Sequence, residues 1–233
     1  MNTNEIKTEG FKSKERVQKF GEVFTPENIV KDMIDIIPLE ETDLKELHKT
    51  WLEPACGTGN FLVEILYRKL ALAEKLGVSK ENLERNLFIS LARIYGIDIQ
   101  EDNVKESRLR LKEIAAKWYM EKTGEKFSKG LEKALDDVLN WNIIHGNALT
   151  GMYENGKQNR EEDRINDKGI GTEFVVVEWN IDGDTVTRKD YNFNSMLVVV
   201  GGTVVNEYEP IHFSKVHRAK MIEDTKDYGG FVF

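Results

Sequence analysis

The segment Leu52-Glu53-Pro54-Ala55-Cys56-Gly57-Thr58-Gly59-Asn60-Phe61-Leu62 constrains this chain more than any other. Thr50 to Pro54 is short and extended in character. A tight turn with two glycines follows. Then Phe61, Leu62, Ile65, Leu66 and Leu70 recur at helical spacing. Glycines between a strand and a helix let backbone N–H groups approach a ligand closely. The helix N-terminus beyond them favours a carboxylate-bearing ligand. Taken alone, Gly57 and Gly59 also fit a simple tight turn, so two readings stay open at this point.

The flanking sequence repeats the alternation. Ser79 is placed to cap a helix running to about Arg93, and Ile94-Tyr95-Gly96-Ile97-Asp98 reads as the next strand. Glu101 to about Met120 reads as a long helix, with Val104, Leu111, Ile114, Ala115 and Trp118 facing inward. Residues 121–140 read as helix plus connection, and Asn142 to Asn147 as a third strand. This order predicts an α/β fold, a doubly wound parallel sheet with helices on both faces. Such sheets bind ligands at the carboxyl ends of their strands. Upstream, Thr25 suits an N-cap and Pro26 a first helical position. Ile29, Val30, Met33, Ile34 and Ile37 follow at helical spacing until Pro38 stops the helix. Residues 1–20 read as a flexible arm or a loose first helix.

The pattern changes after residue 150. Residues 151–172 are rich in Gly, Asn and Asp and read as a loop. Glu173 to Asn180 is β-rich, and Asp182-Gly183 before Val186 signals a hairpin. Leu197 to Val205 reads as a further strand, interrupted by Gly201-Gly202. Residues 151–233 are therefore expected to be a β-rich C-terminal extension of the same globule, completing or covering one edge of the sheet.

Composition limits the function classes. The 233 residues suffice for one domain or one domain with a small appendage. Apolar residues make up 40% and charged residues 32%, which fits a globular chain rather than a disordered one. A net charge of −8 argues against a protein that coats nucleic acid through uniform positive charge. The single cysteine, Cys56, cannot form an intramolecular disulfide, which predicts a reducing, cytoplasmic compartment. The start MNTNEIKTEG has no apolar signal core, and no apolar run approaches the ~18 residues of a membrane span. The four histidines are dispersed and complete no metal-ligand spacing. Lys105, Arg108, Arg110, Lys112 and Lys117 alternate with Glu and read as a solvated helix face.

The longer strings resemble a family. Glu53 to Leu62 is similar to motif I of S-adenosylmethionine (SAM)-dependent DNA methyltransferases of the adenine-N6 group. Gly21-Glu22-Val23-Phe24-Thr25-Pro26 resembles their motif X, Tyr95-Gly96-Ile97-Asp98-Ile99 their motif II, and Ile144-His145-Gly146-Asn147-Ala148-Leu149 their motif III. The four stand in the family's order over residues 21–149. The resemblance implies a Rossmann-like SAM-methyltransferase domain over residues 21–150, in a modification subunit or a fused restriction–methylation enzyme. It also implies site roles. Phe24, Thr25 and Pro26 would line the methionine end of SAM. Glu53 and the backbone of Ala55, Cys56, Gly57 and Gly59 would hold its amino acid moiety. Asp98 would accept from the ribose hydroxyls, although it also suits an N-cap for the helix that follows. Ile99 would pack on the adenine. Asn147 would accept from the adenine amino group, with Ala148 beside it; the family usually has Asp there.

One family element has no counterpart. Its catalytic motif, Asn/Asp-Pro-Pro-Tyr/Phe, accepts the N6 hydrogens of a flipped adenine and stacks on the base. The four prolines here are Pro26, Pro38, Pro54 and Pro210, so no Pro-Pro occurs. Trp179 and Asn180 are the candidate divergent substitute; the bland reading makes them part of a hairpin strand. Three functions follow. The first is an adenine-N6 DNA methyltransferase reaching double-stranded DNA with a specificity or methyltransferase subunit as partner. The second is a non-catalytic SAM-binding regulator or decoy. The third, a dinucleotide-binding protein, is disfavoured by the single Gly-x-Gly in place of Gly-x-Gly-x-x-Gly.

Overall fold

The structure, a computed structural model, describes residues 25–37, 44–153, 173–198, 202 and 204–222. The proposed arm at residues 1–20 and the motif X residue Phe24 lie outside them. Helix α1 is Glu27–Asp35 and α2 is Leu44–His48. Strand β1, Trp51–Glu53, leads through the glycine turn into α3, Asn60–Leu76. Next come α4 Lys80–Ala92, β2 Ile94–Asp98, α5 Glu101–Thr123, α6 Lys129–Asn142, β3 Ile143–Asn147 and β4 Met152–Tyr153. The remainder is β5 Val175–Asp182, β6 Thr185–Asn192, α7 Phe193–Val198, β7 Val204–Glu207, β8 Ile211–His212 and a 3-10 turn at Phe213–Arg218.

Local chemistry explains most boundaries. The Ser79 and Ser128 hydroxyls accept from the N–H groups of Asn82 and Leu131, capping α4 and α6. Helix α1 begins one residue later than its sequence suggests, because Pro26 is extended (φ −58°, ψ 147°) and itself occupies the cap position. Its buried face is narrow as well. Val30 and Ile34 are buried, whereas Ile29, Met33 and Ile37 are exposed.

Strands β1, β2 and β3 pair in parallel in that order, and β4 adds antiparallel to β3. Successive strand residues face opposite sides. On one side, Gly96 lies against Leu62 of α3 and against Cys56. On the other, Ile97 and Ile144 pack with Tyr153, Phe174 and Phe193, and the Tyr95 hydroxyl donates to the Val177 carbonyl at 2.8 Å. That second face, where helices are expected, is thus met chiefly by a second sheet, of order β5-β6-β7 with β8 also on β6, and by Phe193 at the start of short helix α7. The β-rich part covers a face of the first sheet, and β4 alone extends its edge.

The hairpin forms where Asp182-Gly183 announces it, with Asp182 opposite Thr185 and Gly183 at φ +58°. The strand expected over Leu197–Val205 divides instead. Residues 193–198 are helical, and the Glu173 carboxylate accepts from the Asn194 N–H at 2.8 Å in the first turn. Strand β7 begins only at Val204.

Two buried polar nodes lock the layers. Arg188 donates two hydrogen bonds to the Asp190 carboxylate, at 2.6 and 2.9 Å, and its guanidinium stacks on Trp141 at 3.9 Å and on Tyr208 at 4.3 Å. Lys69 of α3 is 4% exposed and donates to the carbonyls of Glu46, Leu47 and Lys49 at 3.4, 2.7 and 2.8 Å. It thereby closes the end of α2 just before β1. No helix among the described residues is long and apolar enough to cross a membrane. Lys69→Met keeps the stem packed but strands the buried Leu47 carbonyl and two part-buried ones, so urea denaturation is expected to show a loss of about 1–3 kcal/mol.

Candidate functional site

The three parallel strands have their carboxyl ends at Glu53, Asp98 and Asn147, each reaching two residues beyond the one before it. Between β1 and α3 the chain turns through Gly57 at φ +52° and Gly59 at φ +87°, the left-handed region where a side chain is strained. The two glycines differ in surroundings. A Cβ at Gly59 would stand 2.4 Å from the Ser107 hydroxyl oxygen, so α5 packs directly on this turn. A Cβ at Gly57 would meet nothing within 4 Å, so open space lies over the turn.

Asp98 organises this region. It is only 9% exposed, and its Oδ2 accepts from the Gly57 N–H at 2.8 Å. Its Oδ1 accepts from the Gln100 N–H at 2.8 Å and from Asn103 Nδ2 at 3.1 Å. Asp98 does not cap α5: the cap position is Gln100, without a side-chain bond, and Asp98 accepts from the Gln100 N–H and the Asn103 side chain just before and within the first turn. Three donors occupy its carboxylate, and a carboxylate has about four acceptor sites. Beside it Ile99 is 40% exposed, an apolar side chain at the end of β2. His145 Nε2 donates to the Ile99 carbonyl at 3.1 Å.

The remaining candidates fall around this centre. Glu53 Oε1 accepts from the Ala55 N–H at 3.3 Å. The Cys56 N–H donates to the Ile97 carbonyl at 2.9 Å, which fastens the turn to β2. Asn147 Oδ1 accepts from the Leu149 N–H at 3.0 Å, folding the motif III turn back on itself, with Ala148 half-buried between them. Thr25 and Pro26 are brought to the start of α3, where Asn60 Nδ2 donates to the Thr25 carbonyl at 2.9 Å.

Trp179 and Asn180 are not brought to this centre. Trp179 is fully buried, its Nε1 donating to Asn142 Oδ1 at 2.8 Å and its ring edge-on to Phe88. A ring fixed in the core cannot stack on a base. Asn180 is exposed in the middle of the hairpin, opposite Thr187, and not at the end of a parallel strand. Both therefore follow the bland reading, as strand residues of β5.

The basic stretch on α5 also differs from its solvated reading. Arg108 turns inward onto the Asn140 and Ile143 carbonyls at the end of α6. Arg110 Nη1 donates to the Thr58 carbonyl at 2.6 Å and to Asn60 Oδ1 at 2.8 Å. Lys105 and Lys112 do pair at the surface, with Glu101 and Asp136. Sequence reasoning missed Asn60 and Arg110 as site residues. Asn60 lies within the motif I string, but no local pattern links it to Arg110, fifty residues along the chain.

An acceptor at Asp98, an open glycine turn and an exposed apolar Ile99 suit a ligand with hydroxyl donors and a flat apolar part. Residues 36–191, more than half of the chain, match the family model described as MmeI, DNA-methyltransferase domain. The chain belongs to that family, a methyltransferase family of restriction–modification enzymes. The match runs through β5 and nearly all of β6, so the hairpin lies within it. Among curated proteins, the chain is similar to the Type II methyltransferase M.VspI of Vibrio sp. (strain 343), with 36% identity over 107 residues. That alignment covers 46% of this chain and 19% of the relative. It is also similar to the Type II restriction enzyme and methyltransferase RM.BcgI of Heyndrickxia coagulans, with 36% identity over 81 residues, 35% of this chain and 11% of the relative. The chain thus spans a minor part of the length of these relatives. No solved structure matches it.

Cys56 sits inside the turn without being a nucleophile. Burial, and then the neighbouring Asp98 and Glu53 carboxylates, push its thiol far above the ordinary range. Iodoacetamide at pH 8 is expected to leave the folded chain unmodified and to alkylate the urea-unfolded chain readily, as read by mass spectrometry.

Proposed function

We propose that this chain is the cofactor-binding part of a SAM-dependent DNA methyltransferase that modifies adenine at N6, working in the cytoplasm with a partner chain. The observation that carries the reading is the bond between Asp98 and the Gly57 N–H, at the carboxyl ends of neighbouring parallel strands and under open space. SAM supplies an electrophilic methyl group when bound. This chain's residues hold it. Glu53 and the backbone of Ala55, Cys56, Gly57 and Gly59 receive its amino acid end, and Phe24, Thr25 and Pro26 line the same end. Asp98 accepts from the ribose hydroxyls, Ile99 packs on the adenine, and Asn147 and Ala148 flank the ring.

The base side needs an acceptor for the N6 hydrogens and an aromatic face to stack on the flipped adenine. No Pro-Pro occurs in the sequence, and Trp179 is committed to the core. On this reading a specificity or methyltransferase subunit supplies both groups and the contacts to double-stranded DNA. The same two observations favour a second reading, a SAM-binding regulator without turnover. Methyl transfer from labelled SAM to duplex DNA, with and without such subunits, separates the two. Transfer in the presence of a partner supports the enzyme; binding with no transfer under any pairing supports the regulator.

Calorimetry tests what both share. The wild-type chain is expected to bind SAM and S-adenosylhomocysteine. Asp98→Ala and Gly57→Val are expected to weaken both at least ~10-fold, more than about 1.4 kcal/mol. Asp98→Ala removes the acceptor, and Gly57→Val fills the open space with a side chain strained at φ +52°. A wild-type chain that binds neither ligand sinks both readings.

A further inference from the structure

We propose that Arg110 and Asn60 are positioning residues that set the place of the Thr25 segment against the glycine turn, and so the affinity for the amino acid end of the cofactor. The proposal rests on the SAM-binding reading above and deepens it. Its basis is a short relay of hydrogen bonds. From α5, Arg110 Nη1 reaches the Thr58 carbonyl at 2.6 Å and Asn60 Oδ1 at 2.8 Å, with a longer contact to the Thr58 hydroxyl at 3.4 Å. From the first residue of α3, Asn60 Nδ2 reaches the Thr25 carbonyl at 2.9 Å.

The guanidinium decides how the relay is wired. It can only donate, so the amide oxygen of Asn60 must face it. The amide nitrogen is thereby aimed at Thr25, whose carbonyl can only accept. A charged donor holds such an oxygen more firmly than a neutral one. The same Arg110 grips the Thr58 carbonyl between the two turn glycines. One side chain therefore fixes both the turn after β1 and the segment before α1. Beyond Thr25, α1 is held separately, through buried Val30 and Ile34 and through the pairing of Arg68 with Asp35 at 2.7 Å. Loss of the relay should therefore release Thr25 without undocking α1.

Asn60→Asp is the informative variant. The carboxylate keeps an acceptor for Arg110 and turns the contact into an ion pair, but it cannot donate to the Thr25 carbonyl. Stability should be kept while the Thr25 anchor is lost. Arg110→Met removes the other end of the relay. The readout is the affinity of wild type and both variants for SAM and for 5′-methylthioadenosine, which shares the nucleoside half but lacks the amino acid end. Circular-dichroism melting controls for folding. The expected result is a roughly 10-fold weaker SAM affinity in Asn60→Asp, equivalent to one lost hydrogen bond of about 1.4 kcal/mol. Binding of 5′-methylthioadenosine should be unchanged. Arg110→Met should show the same preferential loss. Equal weakening of both ligands, or no change in either, overturns the positioning role while leaving the SAM reading in place. A wild-type chain that binds neither ligand overturns the SAM reading and this proposal with it.

Discussion

The Asp98 carboxylate is where the architecture and the site become one thing. Its two oxygens gather the Gly57 N–H, the Gln100 N–H and the Asn103 amide. These donors come from the turn after β1, the loop after β2 and the first turn of α5. A buried carboxylate is tolerated when donors meet its lone pairs, and here three backbone and amide donors do so while leaving acceptor capacity over. The turn is therefore held to β2 twice, by this bond and by the Cys56 N–H on the Ile97 carbonyl. The left-handed glycines, the close approach of Ser107 and the start of α3 all presuppose that closure.

Three basic side chains serve as internal braces rather than as surface charge. Arg110 holds the Thr58 and Asn60 end of the turn, Arg108 the end of α6, and Lys69 the end of α2. Each meets backbone carbonyls that a helix end or a tight turn leaves without partners. In an acidic chain, three of its basic groups are thus spent on carbonyls inside the fold. The second sheet is fixed by similar means, with Arg188 between two aromatic rings and bonded to Asp190. Trp179, bonded to Asn142, joins that sheet to α6. The resulting body is well built on the side of the glycine turn. Trp179 is enclosed in the core and Asn180 sits mid-hairpin, so neither is presented at the strand ends beside it. That asymmetry is what inclines the functional reading towards a chain that shares its chemistry with a partner.

Much of this was legible in the residue pattern. Periodicity located α3, α4 and α5, and short extended or apolar runs beside turn residues located the three parallel strands. Ser79 and Asp182-Gly183 act through bonds or dihedrals local to a few residues, so they read correctly from sequence. The misreadings share the opposite property. Residues 193–198 look extended, yet a carboxylate from Glu173 supports a helix there. Arg108 and Arg110 look solvated because they alternate with Glu, yet their partners come from α6 and from the turn. Trp179 beside Asn180 looks like available chemistry until Phe88 and Asn142 enclose the ring.

The sequence by itself determined the strand–glycine turn–helix unit, the alternation of strands and helices that makes the strands parallel, and the identity of the acidic residue at the end of β2. All of these follow from spacing along the chain and from the conformations that glycine alone adopts without strain. Only the tertiary structure decided that Asp98 closes onto Gly57, that Arg110 and Asn60 carry Thr25, and that the second face of the sheet meets a hairpin. Those outcomes depend on which unpaired donors and acceptors, distant in sequence, are buried side by side, and burial is a property of the packed layers rather than of any segment.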